Sequence, residues 1–280
     1  MHFATMAKWM EPAKLTYACS AHYLDHINSV NLTTEQQAFL NDIHDPIFKQ
    51  TVRDFMVNQQ FRRDYWVKGA RTLTQLEQAE QLREQRFVMS AYRSDVSLKV
   101  SGSLGEGTLT EGIYAPVLDL MSDFKTRTLA QMELLLKDKN INFGQLIQAV
   151  LVLCGSGTLS AAQEETVTIK TKKYTDKLNS HLMFKAQSRN DITNLASPVT
   201  GGGISVGRFQ QLFLLALEQG KKKPEEWAGF VAQMLAAQGQ TIVKEGKPLD
   251  TPEELMAELT IQAQEFSLKQ LPILKALQIA

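Results

Sequence analysis

Helix start signals recur along the chain, and they constrain its fold more than any other feature of the sequence. In "NLTTEQQAFLNDIHDP", Thr33 or Thr34 is placed to cap a helix, with glutamines three positions further on. Asp45 and Pro46 then supply the N-cap and the first position of a second helix. This second helix has apolar residues at three- and four-residue spacing, which predicts a stripe facing the core. The stripe consists of Phe48, Val52, Phe55 and Met56.

Short β-leaning segments interrupt this helical pattern from residue 86 onward. "RFVMS", "VSLKVSG" and "GTLTEG" are separated by Ser, Asp and Gly, which indicates strands and a hairpin. We therefore predict a mainly α protein with small β elements, in the α+β class. The change of pattern near residues 70–90 predicts a helical domain over 1–85 and a second region over 86–280. Three short helices joined by tight turns give this second region a winged-helix-like start, followed by C-terminal helices.

A triple glycine lies in "SPVTGGGISVGRFQQLFLLAL", which spans Ser197 to Leu217. Glycines that open a helix often bind phosphate, but here "ISV" separates them from the helix. We interpret Gly201 to Gly203 as a hairpin turn in which the glycines supply positive φ angles. A long polar-faced helix over 166–187 is predicted before this turn, and "QTIVKEGKPL" predicts another small hairpin after it.

Composition and charge set limits on function. The 280 residues include 30 basic and 30 acidic side chains, so the net charge gives no electrostatic case for bulk nucleic-acid binding. Cys19 and Cys154 belong to no CxxC pattern and are predicted to be free thiols. The N-terminus lacks the apolar core of a signal peptide, and the apolar runs are too short to cross a bilayer. We therefore expect a cytoplasmic protein that does not associate with membranes.

Motifs for common chemistry are absent from the sequence. It contains no phosphate-binding loop, no dinucleotide fingerprint, no HExxH and no GxSxG. His22 and His26 lie four residues apart with Asp25 between them, but no third ligand is spaced nearby. We interpret them as surface or packing residues and expect no metal site.

The segment richest in functional groups is "RDFMVNQQFRRDYWVKGAR", residues 53–71. Basic and aromatic side chains interleave in it, a mixture that binds nucleic acid, an acidic partner or another domain. Asp54 and Asp64 offset part of the charge and weaken the case for nucleic acid. Two interpretations stay open: a surface for contact with another domain, and an internal salt-bridged corner with Phe61 and Trp66 in the core.

Three blocks of the sequence carry a family resemblance. "AKLTYACSA", "NLTTEQQAFLNDIHDPIFKQTVRDFMVNQQFRRDYWVKGARTL" and "LASPVTGGGISVGRFQQLFLLAL" together resemble the portion that follows the catalytic domain in bacterial S-adenosylmethionine-dependent methyltransferases. The first half resembles the methyltransferase regulatory domain. The rest resembles the C-terminal region of the protein-lysine methyltransferases that carry this domain. The likeness extends over nearly the whole chain, but none of the blocks is a catalytic signature.

The resemblance implies a regulatory and substrate-binding portion that is not catalytic alone. In that family, S-adenosylmethionine binds an N-terminal doubly wound α/β domain, which has no counterpart in this sequence. We therefore expect no catalytic or cofactor-binding residue here, and a Rossmann-like catalytic domain as the partner, in cis or in trans. A protein substrate and self-association into a homo-oligomer are further contacts that this arrangement allows.

The positions that match the family's contact segment lie in "RDFMVNQQFRRDYW". Their mixture of charged, amide and aromatic groups is common in contacts between domains. We predict a partner-binding role for Arg53, Asp54, Asn58, Phe61, Arg62, Arg63, Asp64 and Trp66.

Two other classes of function compete with this one. A winged-helix nucleic-acid-binding regulator would use "FGQLIQAVLVLCG" as its recognition helix, but this helix has no Arg or Lys for bases and phosphates. A stand-alone enzyme would need a site built from residues such as Glu106, Asp119 and His181, which nothing in the sequence brings together.

Overall fold

The structure, a computed structural model, describes residues 1–244, 247–249 and 251–280. Helices dominate, and the strands form small sheets, which confirms the predicted α+β class. The chain divides into two compact units. The N-terminal unit comprises Met1–Phe87, Arg93–Asp123 and Arg127–Ser160, and the C-terminal unit comprises Val88–Tyr92, Phe124–Thr126 and Ala161–Ala280. These units are made of several chain segments, so they do not test the predicted division into domains 1–85 and 86–280, which stays a prediction.

Helices and two long-range strands make up the first part of the N-terminal unit. They are α1 (Phe3–Met10), β1 (Leu15–Ser20), α2 (Asn28–Asn31), α3 (Thr34–Asn41), α4 (Pro46–Met56), β2 (Asp64–Lys68) and α5 (Gln75–Glu84). Thr33 caps α3 in a reciprocal capping box with Gln36, and the Asp45 carboxylate accepts from the backbone N–H of Phe48 at 2.7 Å. Both helix starts predicted from the sequence are confirmed.

The predicted core stripe of α4 is wrong. Phe48 is 58% exposed and Phe55 is 68% exposed, while Val52 and Met56 are half-buried. No residue of α4 is buried. The helical period is correct, but α4 lies at the surface of the unit and packs on α1. Its most hydrophobic side chains therefore face outward, which periodicity alone cannot reveal.

The second part of the N-terminal unit begins with short strands and continues with helices. Its elements, two of which run on into the C-terminal unit, are β3 (Arg86–Met89), β4 (Lys99–Gly102), β5 (Gly105–Thr108), α6 (Glu111–Met121), β6 (Arg127–Thr128), α7 (Leu129–Leu135), α8 (Phe143–Gly155) and β7 (Leu159–Ala162). β4 and β5 form the predicted hairpin, with Gly102 opposite Gly105. β3 pairs with β6 in antiparallel orientation. The winged-helix-like arrangement stays a prediction.

Both cysteines of the N-terminal unit are free thiols, as predicted. Cys154 lies near the end of α8, and burial raises its pKa to about 12. Because thiolate is the reactive form, we expect Cys154 to react with a thiol reagent at pH 8 at least about 100-fold more slowly than an ordinary cysteine. The rate would be measured in a Cys19→Ser variant, with the denatured protein as control. Equal rates in the folded and denatured protein would contradict the prediction.

The C-terminal unit is built from helices around a buried aromatic and aliphatic core. Its elements are α9 (Glu165–Lys185), β8 (Asn194–Ser197), β9 (Gly202–Ser205), α10 (Arg208–Glu218), α11 (Pro224–Ala237), β10 (Val243–Lys244), β11 (Lys247–Pro248), α12 (Pro252–Glu265) and α13 (Leu271–Ala276). Phe213, Trp227 and Phe266 lie at the centre of the core. β10 and β11 pair as the arms of the predicted second hairpin, while residues 245 and 246 of its turn lie outside the described residues.

The triple glycine lies in a hairpin, as predicted. Residues 194–197 of β8 pair with residues 202–205 of β9, and Ser197 lies opposite Gly202. The hydroxyl of Ser197 is buried and donates to the carbonyl oxygen of Leu277 at 2.8 Å. Gly201 has a positive φ of 70°, whereas Gly202 and Gly203 lie in β9. The expectation that all three glycines supply positive φ angles is therefore wrong.

Alanine at Gly201 is expected to lower the free energy of unfolding by about 1–2 kcal/mol, because L-residues are strained at positive φ. Its Cβ would also lie 2.7 Å from Nε2 of Gln163, so this side chain must move. Gly202→Ala is the matched control, since its φ is not positive and its Cβ would lie 4.0 Å from the nearest atom, Oγ1 of Thr200. Urea denaturation would compare the two, and equal effects would contradict the role of φ.

Within residues 1–244, 247–249 and 251–280, every helix is too short or too polar to span a lipid bilayer.

Candidate partner interface

β1 and β2 position the segment that the sequence singles out. They pair in antiparallel register, with Leu15 opposite Lys68 and Ser20 opposite Asp64. The chain leaves α4 through Asn58, which adopts a left-handed conformation with φ of 51°. The backbone N–H of Gln59 then donates to the carbonyl oxygen of residue 54 at 2.9 Å. Residues 57–63 therefore form a tight connection from the helix to the strand, an element that the sequence analysis missed.

Arg62 is the centre of a polar cluster inside this connection. Its guanidinium donates to both carboxylate oxygens of Asp64, at 2.8 and 3.0 Å, and to the carboxylate of Asp54. It also donates to Oε1 of Gln50 at 3.3 Å. Desolvation lowers the pKa of Arg62, but the hydrogen bond to Asp64 and the charges of both aspartates outweigh it and raise the pKa. We call these four residues the Arg62 cluster.

Aromatic rings support the Arg62 cluster from one side. The guanidinium carbon lies 4.4 Å from the ring centroid of Phe3 and 5.4 Å from that of Tyr17. Trp66 stacks on Phe3 with centroids 5.7 Å apart and contacts Tyr17 edge-on at 5.8 Å. Desolvation raises the pKa of Tyr17, against the opposing charge of Arg62. Arg62 and Trp66 thus have a structural function within the unit.

The structure separates the eight predicted partner-binding residues into two groups. Asp54, Arg62, Asp64 and Trp66 form the internal contacts just described, and Arg53 donates to the backbone carbonyl of Asp25 at 2.6 Å. The remaining residues are exposed: Asn58, Phe61 and Arg63. The salt-bridged corner therefore exists, but the placement of Phe61 in the core is wrong, because this side chain is 89% exposed.

An exposed apolar surface extends over α1 and α4, which pack together. On α4, Phe48 and Phe55 are seven positions apart and therefore lie on the same side of the helix. The ring of Phe55 lies 5.5 Å from that of His2, just before α1. We call the four large exposed apolar residues of the two helices the α1–α4 surface. They are Trp9, Ile47, Phe48 and Phe55.

An apolar cavity of about 540 Å³ opens beside the α1–α4 surface. Phe3, Leu15, Tyr17, Ile47 and Trp66 provide most of its walls, and charged side chains of α1 and the following turn also line it. Its volume and its mainly apolar lining are in the range of sites that bind ligands or the side chains of a partner. Aromatic residues thus line this cavity and are also exposed on the α1–α4 surface beside it.

A second cavity, of about 280 Å³, is lined by Tyr17 and Arg62 and is polar. Lys49, Arg53 and His26 line it, together with the carboxylate of Asp25 and several amides. Asp25 accepts from the hydroxyl of Ser20 at 2.6 Å. The lining thus has three cations, Lys49, Arg53 and Arg62, against the one carboxylate of Asp25, and Arg62 is itself paired with Asp54 and Asp64.

The other candidate groups of the sequence have separate partners. Nδ1 of His22 lies 3.3 Å from Oδ1 of Asp25, whereas Nε2 of His26 lies 2.9 Å from the backbone oxygen of Ser20. In the part of the chain that the structure describes, no group of three His, Cys, Asp or Glu side chains could hold a metal ion. Glu106 pairs with Lys99 at 2.6 Å.

The residues considered for a stand-alone enzyme and for a nucleic-acid-binding helix lie in an ion pair, on an exposed helix face and in a buried helix. Asp119 pairs with Arg93 at 2.8 Å, and His181 lies on an exposed face of α9. The helix proposed for base recognition, α8, is largely buried: the buried residues are Leu146, Ala149, Val150, Val152 and Leu153. A helix in this position has its apolar face in the core and does not present a row of polar groups to a DNA groove.

Residues 1–68 match the family model described as a predicted methyltransferase regulatory domain. The resemblance inferred from the sequence is confirmed there. The Arg62 cluster, the α1–α4 surface and both cavities all lie within the residues that match this family model. Sequence reasoning found its ion pairs and missed its outward-facing aromatic residues.

Comparisons over the whole chain identify a related sequence and solved structures with the same fold. The chain is 37% identical over 279 residues to the uncharacterized protein sll1526 of Synechocystis sp., covering 100% of this chain and 54% of that protein. It thus spans about half the length of this curated relative. PKMT2 from Rickettsia typhi, solved in complex with AdoHcy, has the same fold, with a TM-score of 0.55 and 11% identity over 94% of this chain and 56% of PKMT2. A second PKMT2 structure also has a TM-score of 0.55 and covers 99% of this chain.

Proposed function

We propose that this chain is the regulatory and substrate-binding portion of a bacterial S-adenosylmethionine-dependent methyltransferase of the protein-lysine type. In this proposal it acts in the cytoplasm and packs against a Rossmann-like catalytic domain that holds the cofactor. The methyl acceptor is a protein. The match to the regulatory-domain family and the fold shared with PKMT2, of which the chain spans 56%, support the proposal.

The observation that carries the proposal is the α1–α4 surface of the regulatory domain. Soluble monomers rarely expose large contiguous apolar patches, and such patches are typical of protein–protein contacts. Phe48, Phe55 and Trp9 are each more than half exposed, and an apolar cavity lies beside them. Burial of these side chains against a catalytic domain would remove them from water, which is the main driving force of such associations.

The exposed members of the predicted segment fit the same contact. Phe61 and Arg63 project from the connection between α4 and β2, while Arg62 holds that connection in shape. Aromatic residues and arginine are enriched among the residues that dominate binding energy. We therefore assign the partner contact to Phe61 and Arg63, and a supporting role to Arg62, Asp54 and Asp64.

The proposal is tested by association with a catalytic portion. The probe is the part of Synechocystis sll1526 outside the 279 aligned residues, co-expressed with this chain and measured by co-purification and calorimetry. A Phe48→Ser and Phe55→Ser double variant is expected to weaken the complex by at least about tenfold. Leu76→Ser is the matched control, because Leu76 is equally exposed but lies on α5. An unchanged affinity in the double variant would exclude the α1–α4 surface.

Cofactor binding provides a second test. We expect calorimetry with S-adenosylmethionine to give no saturable binding to this chain alone, and saturable binding once the catalytic portion is present. Robust binding by the 280 residues alone would overturn the assignment of the cofactor to a separate domain.

A further inference from the structure

The longest helix of the C-terminal unit, α9, is firmly attached on one side. The buried side chain of Asn179 donates to the backbone oxygen of Ala196 at 2.8 Å and accepts from its N–H at 2.7 Å. The hydroxyl of Thr168 donates to the backbone oxygen of Pro198 at 3.3 Å, and Met183 is buried. α9 therefore has a fixed inner face against β8 and α10.

The outer face of α9 combines cations with large apolar side chains. At 100° per residue, the exposed side chains between residues 166 and 185 fall within about 180° of the helix circumference. The cations are Lys170, Lys173, Lys177 and Lys185, and the apolar side chains are Val167, Ile169, Tyr174, Leu178 and Phe184. We call these nine residues the α9 surface.

The lysines of the α9 surface lack carboxylate partners among the residues that the structure describes. The acidic group in the middle of α9, Asp176, instead pairs with Lys172, which lies outside this surface. Lys173 contacts the ring of Tyr174, with its Nζ 4.9 Å from the centroid. The α9 surface is therefore basic although the chain as a whole has no net charge.

The charge of the α9 surface and its mixture of cationic and apolar side chains favour one kind of binding partner. Two copies of this surface would repel each other, so the chain does not cover it by α9–α9 pairing. A helix that lies on a membrane separates its apolar and cationic faces, whereas here both kinds of side chain share one arc. Nucleic acid would pair with the lysines but offers little to exposed aliphatic groups such as Ile169 and Leu178. Carboxylates beside apolar side chains match both components.

We infer that the α9 surface binds an acidic amphipathic helix of a partner protein. The partner would place apolar residues at i, i+3, i+4 and i+7 against Val167, Tyr174 and Leu178, which lie within about 40° of one another around α9, and its Asp or Glu side chains beside the lysines. Long lysine side chains also cover apolar surface with their methylene groups, so the two components reinforce each other. This contact does not depend on the methyltransferase function, because it uses a different unit from the α1–α4 surface.

The probe for this inference is a fluorescent peptide of about 18 residues, five helical turns, with Leu at the apolar spacing and Glu elsewhere. Binding to the full chain is measured by anisotropy. We expect saturable binding that weakens with salt, and a loss of affinity of at least about tenfold in a Lys170→Glu and Lys177→Glu double variant. Lys139→Glu with Lys275→Glu is the matched control, because both are exposed lysines on other elements. This control is expected to change affinity by less than about twofold.

A second variant and two other probes complete the test. Tyr174→Ser and Leu178→Ser are expected to weaken peptide binding at least about fivefold while the helical circular dichroism is unchanged. A peptide with Gln for Glu is expected to bind weakly. If the Glu peptide fails to bind, or binds the Lys170→Glu and Lys177→Glu variant equally well, the inference is overturned. Tighter binding of single-stranded DNA or phosphatidylserine vesicles through the same lysines would also overturn it.

Discussion

Replacement of Trp227 by alanine is expected to lower the free energy of unfolding of the C-terminal unit by about 3–5 kcal/mol. Trp227 is 2% exposed, and its ring contacts that of Phe266 edge-on, with centroids 6.0 Å apart. Its Nε1 donates to the backbone oxygen of Lys221 at 2.9 Å. The substitution therefore removes buried apolar area, leaves a cavity and leaves a carbonyl group without its donor. Urea denaturation followed by far-ultraviolet circular dichroism would measure the change.

Trp9→Ala is the control for this prediction. Trp9 is 67% exposed on α1, so its removal is expected to change the free energy of unfolding by less than about 0.5 kcal/mol. The same variant should weaken association with the catalytic portion if the α1–α4 surface is the contact. A large loss of stability in Trp9→Ala, or a small one in Trp227→Ala, would contradict the packing described for each.

Local signals in the sequence predict much of the secondary structure. Capping residues such as Thr33 and Asp45 identify helix starts, because the cap satisfies backbone donors through contacts within four residues. The glycine turn before α10 is also predicted from a local signal, because glycine adopts the positive φ angles that tight turns need. The identity of the one glycine with positive φ, Gly201, depends on the register of β8 and β9 and is known only from the structure.

Long-range contacts set the limit of this reasoning. β1 and β2 pair residues about fifty positions apart, and no local signal specifies that pairing. Once β2 is known, its alternation places Tyr65 outward and Trp66 inward. The apolar spacing of α4 similarly predicts a helix with one apolar side. It cannot tell whether that side faces the core of this unit or a partner, since burial by either satisfies the same pattern.

Replacement of Arg62 by methionine is expected to lower the free energy of unfolding by about 2–3 kcal/mol at neutral pH. Methionine keeps an apolar stem against Phe3 and Tyr17 but removes the cation between two largely buried carboxylates, those of Asp54 and Asp64. Arg63→Met is the matched control. Its side chain is exposed, so this variant should keep its stability and instead lose affinity for the catalytic portion.

The pH dependence of Arg62→Met distinguishes unpaired carboxylates from a simple loss of packing. Desolvation already raises the pKa of Asp54 in the folded protein, and the charge of Arg62 opposes that rise. Without Arg62 the pKa of Asp54 should rise further, so the folded state takes up a proton at a higher pH than the unfolded state. Stability then decreases as the pH rises through this window and recovers as the pH falls toward about 4. Chemical denaturation from pH 4 to pH 7 would measure the free energy of unfolding of the variant and of the unsubstituted protein. A difference between them that is constant with pH would contradict the assignment to Asp54.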